Sequence, residues 1–339
     1  CHQHDGYAEI AGFVGDVVRE VAREPVMTPS SGQPALGAAE FSALFERLQR
    51  VPAWGPEDRR GALNYLTQDR VVAAAGEIRL GRTVSLAAPI ETELTPDQPE
   101  PAIHDMKGRP GDGADPDGLT FAQDRLGLNV HGEVDSHIDA LCHVMYRKSL
   151  YNRVPAAAVT AHGAEELSID LVADGIAGRG VLLDIPRLRG VSWLEPGDLV
   201  TGEDLAQAAT AQQVTVQPGD LLFVRVGHRR RRKELGPWDA TASRAGLHPE
   251  ALEFVADHQV AVLGSDSNSD VSPTAADGVS HPVHVLAINA LGLHLLDYLQ
   301  FDDLVPLCET AGRWSFFCVV APLRVPRATG SPVNPIAIV

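Results

Sequence analysis

Apolar residues recur every three to four positions over 36–50 (LGAAEFSALFERLQR), which predicts a helix. Short apolar runs follow at 180–185 (GVLLDI), 221–226 (LLFVRV), 260–264 and 316–320, and these read as buried strands. Between them, 201–211 predicts a helix with Thr201 as N-cap and Asp204 three residues on, a capping-box variant. A turn at 218–220 leads into the second run, 249–258 is helical, and 288–296 is apolar almost throughout. Strands and helices alternate without an internal repeat, so the fold class is α/β or mixed α+β. Residues 1–35 read as a weak helix and a loop, TPSSGQP at 28–34, forming a partly flexible N-terminal extension. A single domain is expected over 36–339. Within it, 94–120 is rich in Pro, Asp and Gly and predicts a long surface loop of the kind that serves as a lid.

Composition adds exclusions. The 339 residues are 44% hydrophobic and 22% charged, which rules out a fibrous or wholly disordered chain. Against 28 Lys and Arg stand 45 Asp and Glu, a net charge of −17, and such a surface repels nucleic-acid phosphates. No apolar stretch approaches the roughly 20 residues that span a bilayer, so no membrane partner is expected. The four cysteines, Cys1, Cys142, Cys308 and Cys318, form no CxxC pair, which excludes zinc-ribbon and thioredoxin patterns. Their scarcity points to a reducing compartment, hence the cytoplasm. Cys1 fits either a truncated sequence or a lipidated first residue, and no signal segment supports the second. The one basic run, 229–233 (RRRRK), is expected as a solvated loop after a strand, with a phosphate-binding patch as the alternative.

The densest chemistry is H-G-E-V-D-S-H-I-D-A-L-C-H at 131–143. His131, Glu133, Asp135, His137 and Asp139 alternate, so an extended strand would put all five on one face. Crowded carboxylates repel unless a cation compensates, and mixed imidazole and carboxylate donors suit Zn²⁺, Mn²⁺ or Fe²⁺ better than Ca²⁺. Residues 139–148 look helical, which would place His143 one turn beyond Asp139, where a general base sits rather than a ligand. The bland reading is an exposed polar edge strand. A second cluster, S-H-P-V-H at 280–284 with Asp297 further on, contributes only if the fold brings it to the first. Asp297 otherwise caps or pairs with a neighbour such as His294.

The stretch 136–144 (SHIDALCHV) resembles the signature of the cyclase superfamily of metal-dependent hydrolases, which includes kynurenine formamidase and isatin hydrolase. Outlying stretches at 145–152, 178–184, 218–226, 264–270 (GSDSNSD) and 321–338 resemble its longer bacterial branch, so the similarity runs from about residue 50 onward. The resemblance implies a swivelling β/β/α domain, a homodimer or homotetramer, and a divalent metal, Zn²⁺ or Mn²⁺. It assigns His137 and Asp139 as metal ligands, His143 as the catalytic histidine, and His284 and Asp297 as the distant pair completing the site. Asp297 is shorter than the family's Glu, so a closer strand or a bridging water has to make up the missing methylene. The family's first histidine falls on Glu133, four before His137, while His131 is two residues out of register. Glu133 is therefore expected at the metal, and His131, six residues along a strand, away from it.

The function implied is metal-dependent hydrolysis of a small amide, lactone or cyclic acyl substrate, with His143 as base. A catalytically silent small-ligand binder and a non-hydrolytic cyclase or dehydratase of secondary metabolism are the alternatives.

Overall fold

The apolar runs become the centre of one mixed sheet. The computed structural model describes residues 34–51, 54–108 and 118–339, so the expectations for the N-terminal extension, apart from its last two residues, fall outside the described residues. The strands of three or more residues are β1 (Thr83–Ser85), β2 (Ile103–Lys107), β3 (Gln123–Gly127), β4 (His137–Asp139), β5 (Ile176–Asp184), β6 (Leu221–Arg225), β7 (Val262–Ser265), β8 (His294–Asp297), β9 (Ser315–Val320), β10 (Gly330–Pro332) and β11 (Ile336–Ile338). Nine of them form the sheet, in the order β1-β11-β9-β5-β6-β7-β8-β4-β10. Strands β5 to β8 are mutually parallel and the rest pair antiparallel, giving the mixed α+β class expected.

Parallel strands covered on both faces need apolar side chains in both directions, which explains the unbroken runs. Val181, Leu182, Leu183, Leu222, Phe223 and Leu263 are all fully buried. The helices Gly202–Ala211 and Ala251–Asp257 pack against each other beside this sheet. The first starts as expected: Thr201 Oγ1 accepts the Asp204 N–H at 3.1 Å, and Asp204 accepts the Thr201 N–H at 2.8 Å. No helix among the described residues is long and apolar enough to cross a membrane.

Two expectations change. The segment 94–120 is not all loop: β2 pairs with β3 as an antiparallel ribbon whose residues are nearly all exposed. Its composition rules out a core strand, but a two-stranded ribbon can stand on main-chain bonds and turn residues without one. The basic run 229–233 is not a solvated loop. It lies in the helix His228–Leu235. Arg229 is buried and donates to the carbonyls of Val134, Tyr298 and Leu299. Arg232 pairs with Asp97 at 2.6 Å and Glu91 at 3.1 Å, and Arg231 with Glu195 at 3.0 Å. Guanidinium forks satisfy several acceptors at once, so the run fastens the 88–98 segment and the end of β8 to the sheet.

His294 sets an acid limit on stability. It is fully buried and neither ring nitrogen has a partner among the described residues. Burial holds its pKa down to about 4, with only the Asp139 carboxylate working the other way. The unfolded chain takes up this proton below about pH 6.5, whereas the folded chain does not until about pH 4. Stability is therefore present above pH 6.5 and lost as pH falls toward 4, by about 3 kcal/mol at the lower end. In urea unfolding at pH 7 and pH 4.5, His294→Leu is expected to lose roughly 2–3 kcal/mol less than the wild type. Equal losses would show that His294 does not titrate on unfolding.

Candidate metal centre

The site is built around β4. This strand lies between β8 and β10, with Asp297 opposite His137 and Gly330 opposite Asp139. Pleating sends Ile138 into the core, fully buried, and leaves His137 and Asp139 together on the other face. Strand geometry covers only these three residues, not 131–139 as expected. Asp135 and Ser136 are drawn off by other partners. Asp135 accepts the Glu91 N–H at 2.9 Å and the Gln98 amide at 3.1 Å, and Ser136 Oγ donates to the Tyr298 carbonyl at 2.6 Å. The chain before them turns instead of extending, so the five alternating side chains do not share a face.

That turn carries His131 back to the strand, contrary to the extended-strand argument that kept it distant. His131 Nδ1 stands 2.8 Å from Asp139 Oδ1, and its Nε2 is 2.9 Å from Thr329 Oγ1. Room for the ring comes from Gly330, where a Cβ would lie 2.7 Å from His131 Cε1 and 2.5 Å from the Ile138 carbonyl oxygen. Glu133 is placed otherwise. Its Oε2 accepts the Tyr298 hydroxyl and lies 3.6 Å from Arg244.

Residues 139–148 do not form the expected helix. The Cys142 N–H goes to the Leu167 carbonyl at 3.0 Å and the His143 N–H to Ala140 at 2.9 Å. Arg147 and Lys148 take left-handed backbone angles that close a tight turn. The bend still delivers His143: its ring stacks on His131, centroids 3.7 Å apart and planes within 10° of parallel. Donor atoms of His131, Asp139 and His143 all lie within 4.8 Å of one another.

The distant cluster does arrive. His284 ends a short helical turn, Pro282–His284, that continues as the π-helix Val285–Leu291, and Asp297 ends β8. His284 Nε2 is 3.4 Å from Asp139 Oδ2 and 3.4 Å from Asp297 Oδ2. Asp297 Oδ1 accepts Ser269 Oγ at 2.7 Å and the Ser269 N–H at 3.2 Å. The alternative pairing of Asp297 with His294 is absent among the described residues.

Three imidazoles share one pattern. Each has its outer nitrogen anchored and its inner nitrogen turned toward Asp139. His131 is anchored by Thr329, His137 by the Asp135 carbonyl at 2.8 Å, and His284 by Asp270 at 2.6 Å. The inner nitrogen of His137 is 3.7 Å from Asp139 Oδ1. Meanwhile Asp139 Oδ2 and Asp297 Oδ2 are buried without a hydrogen bond. Buried anionic oxygens without donors are costly, and outer-nitrogen anchoring is how metal-bound histidines are held. The donor set therefore fits a divalent cation. Electrostatics agree. Burial opposes the charge on Asp139, but the hydrogen bond from His131 and the neighbouring histidines hold its carboxyl well below the usual range. Burial likewise opposes a charged His284, yet Asp139, Asp270 and Asp297 outweigh it and raise the ring well above its ordinary value. The pocket demands positive charge. His143 differs: burial, with the nearby histidines adding to it, lowers its pKa to about 4 against the pull of Asp139.

Sequence reasoning passed over Thr329, Gly330, Ser269 and Asp270. Ser269 and Asp270 belonged to a turn noted only for its resemblance, and nothing in a lone Thr-Gly pair marks a ring 198 residues away.

Comparisons with known proteins bear on the family and the fold. No curated protein matches the chain. A solved structure titled as a novel cyclase is similar at 33% identity, with a TM-score of 0.77, covering 87% of this chain and 99% of its own. Isatin hydrolase A from Labrenzia aggregata, bound to benzyl benzoate, shares the fold at 19% identity and a TM-score of 0.54, over 80% of this chain and 98% of its own. Isatin hydrolase A from Ralstonia solanacearum does so at 21% identity and 0.52, over 80% and 97%. The profile of the Cyclase family matches residues 50–269, a span that holds β4, the 131–143 cluster and most of the parallel strands. The chain belongs to the cyclase family.

Proposed function

We propose that this chain is a metal-dependent hydrolase that opens an amide, lactone or related cyclic acyl bond of a small molecule. The observation that carries this reading is the convergence of three anchored imidazoles on Asp139, where Asp139 Oδ2 and Asp297 Oδ2 are buried beside His284 without a hydrogen bond. The proposed ligands are His131, His137, Asp139, His284 and Asp297, with His131 taking the place expected for Glu133. A divalent ion held there supplies Lewis acidity and lowers the pKa of water toward neutrality.

The chain's own residues do the rest. Asp139 faces His131 and His137 through one oxygen and His284 through the other, so it ties the two halves together. His143 is neutral in its half-buried stack, and no described residue bonds to its ring, which leaves a nitrogen free to take a proton from water and return it to the leaving group. The partly exposed members of the cluster, His131, Glu133 and His143, mark the side from which substrate enters.

The test is elemental analysis of the purified protein, followed by assay of the Zn²⁺- and Mn²⁺-loaded forms on a panel of cyclic amides, formamides and lactones. Hydrolysis yields products heavier by one water, whereas a cyclase or dehydratase does not add water and a silent binder turns nothing over. In the same assay His131→Ala is expected to lose at least tenfold in metal affinity, and Glu133→Gln to keep it. The reverse result would restore Glu133 as the ligand.

A further inference from the structure

Asp270 is fully buried at the end of the 266–270 bend that follows β7. Its Oδ1 accepts the Val283 N–H at 2.7 Å, and its Oδ2 accepts the His284 N–H at 3.1 Å. Those two bonds cap the helical turn that carries His284, and neither requires a charged acceptor. The third contact is different. Asp270 Oδ2 is also 2.6 Å from His284 Nδ1. An imidazole has two tautomers and a soft ring torsion, and a carboxylate at Nδ1 fixes both. The ring's other nitrogen then faces Asp139 and Asp297 at 3.4 Å each. The preceding residue acts in parallel, since Ser269 holds Asp297 Oδ1 through its hydroxyl and its N–H. The backbone of the pair is itself braced by Arg244 Nε, 3.0 Å from the Asp270 carbonyl oxygen.

We propose that Ser269 and Asp270 form one positioning unit, in which Asp270 holds His284 with its proton on Nδ1 and its Nε2 lone pair aimed into the metal centre, while Ser269 aims Asp297. The inference rests on the metal reading above. Two adjacent residues on one turn thereby orient side chains from a helix and from a strand.

Asp270→Asn separates positioning from architecture. Its amide oxygen, in the place of Oδ1, still accepts the Val283 N–H, so that half of the cap survives, while the His284 N–H loses its acceptor. Its NH₂ then faces His284 Nδ1 and forces that nitrogen to accept, which moves the ring proton to Nε2, where a lone pair is needed. The same substitution logic, a wrong tautomer in an intact geometry, disables the histidine of serine-protease triads.

The experiment measures Zn²⁺ affinity of the metal-free protein by competition with a chromophoric chelator, the visible spectrum of the Co²⁺-loaded form, and the Tm of the metal-free form. Asp270→Asn is expected to lose roughly tenfold to a hundredfold in Zn²⁺ affinity and to shift the Co²⁺ bands, while the metal-free form stays folded with a modestly lowered Tm. Wild-type affinity and spectrum in the variant would overturn the proposal while leaving the metal reading intact. A wild-type protein that takes up neither Zn²⁺ nor Co²⁺ would overturn the metal reading, and this proposal with it. Should the asparagine variant not fold, Asp270→Ser, whose hydroxyl caps the turn without reaching the ring, decides the point by the same three measurements.

Discussion

Asp139→Ala is expected to purify without bound metal. The side chain is nearly inaccessible, and it stands 2.8 Å from His131, 3.7 Å from His137 and 3.4 Å from His284. No other described carboxylate reaches both the β4 side and the His284 side. Its loss removes a shared donor and one of the three buried carboxylates around His284 at once. Outer-shell losses already cost tenfold to a hundredfold in metal affinity, so loss of this group should exceed about a hundredfold. Elemental analysis after dialysis reads the result directly. Equal metal content in wild type and variant would remove Asp139 from the proposed set, and with it the account of why a carboxylate oxygen is buried there without a donor.

His143→Ala is expected to leave metal content and fold unchanged while lowering turnover by roughly 10²–10⁴. The assignment is separable from ligation because the ring lies at the edge of the cluster, stacked on His131, and 6.4 Å from His284 between centroids. A general base contributes through proton transfer, so the rate falls and the bound ion stays. If metal is lost together with activity, His143 is a ligand, which its closeness to His131 and Asp139 would then explain. If neither changes, its stacking on His131 is only packing.

The core was legible for a physical reason. Runs such as LLFV and GVLL are apolar in both directions because β5 and β6 are covered on both faces, and continuous apolarity survives in the linear sequence. The Thr201–Asp204 cap was legible because its partners are three residues apart. His137, Asp139, His143, His284 and Asp297 were legible through a motif, and the fold does bring them together. The local shape around them was not. Alternating polar residues over 131–139 suggested a strand, but Asp135 and Ser136 bond to Glu91, Gln98 and Tyr298, contacts that no window of sequence contains. The RRRRK run misled for the same reason, since its acceptors are main-chain carbonyls at 134, 298 and 299 and carboxylates at 91, 97 and 195. Charge alone reads as solvent-seeking when the counter-groups are remote.

The placement of Thr329 and Gly330 beside His131 has a consequence for how the centre comes into being. On a chain made from its N-terminus, His131, His137 and Asp139 are synthesised roughly 10–40 s before the residues that seat the first of them. Until then His131 lacks both the hydroxyl that fixes its outer nitrogen and the neighbouring strand that walls its ring. A nascent chain therefore exposes loose imidazoles and carboxylates, able to pick up ions weakly and indiscriminately. On the proposed metal reading, the anchored site waits for Thr329 and β10 to dock beside β4. Residues made late would then complete the site of donors made early.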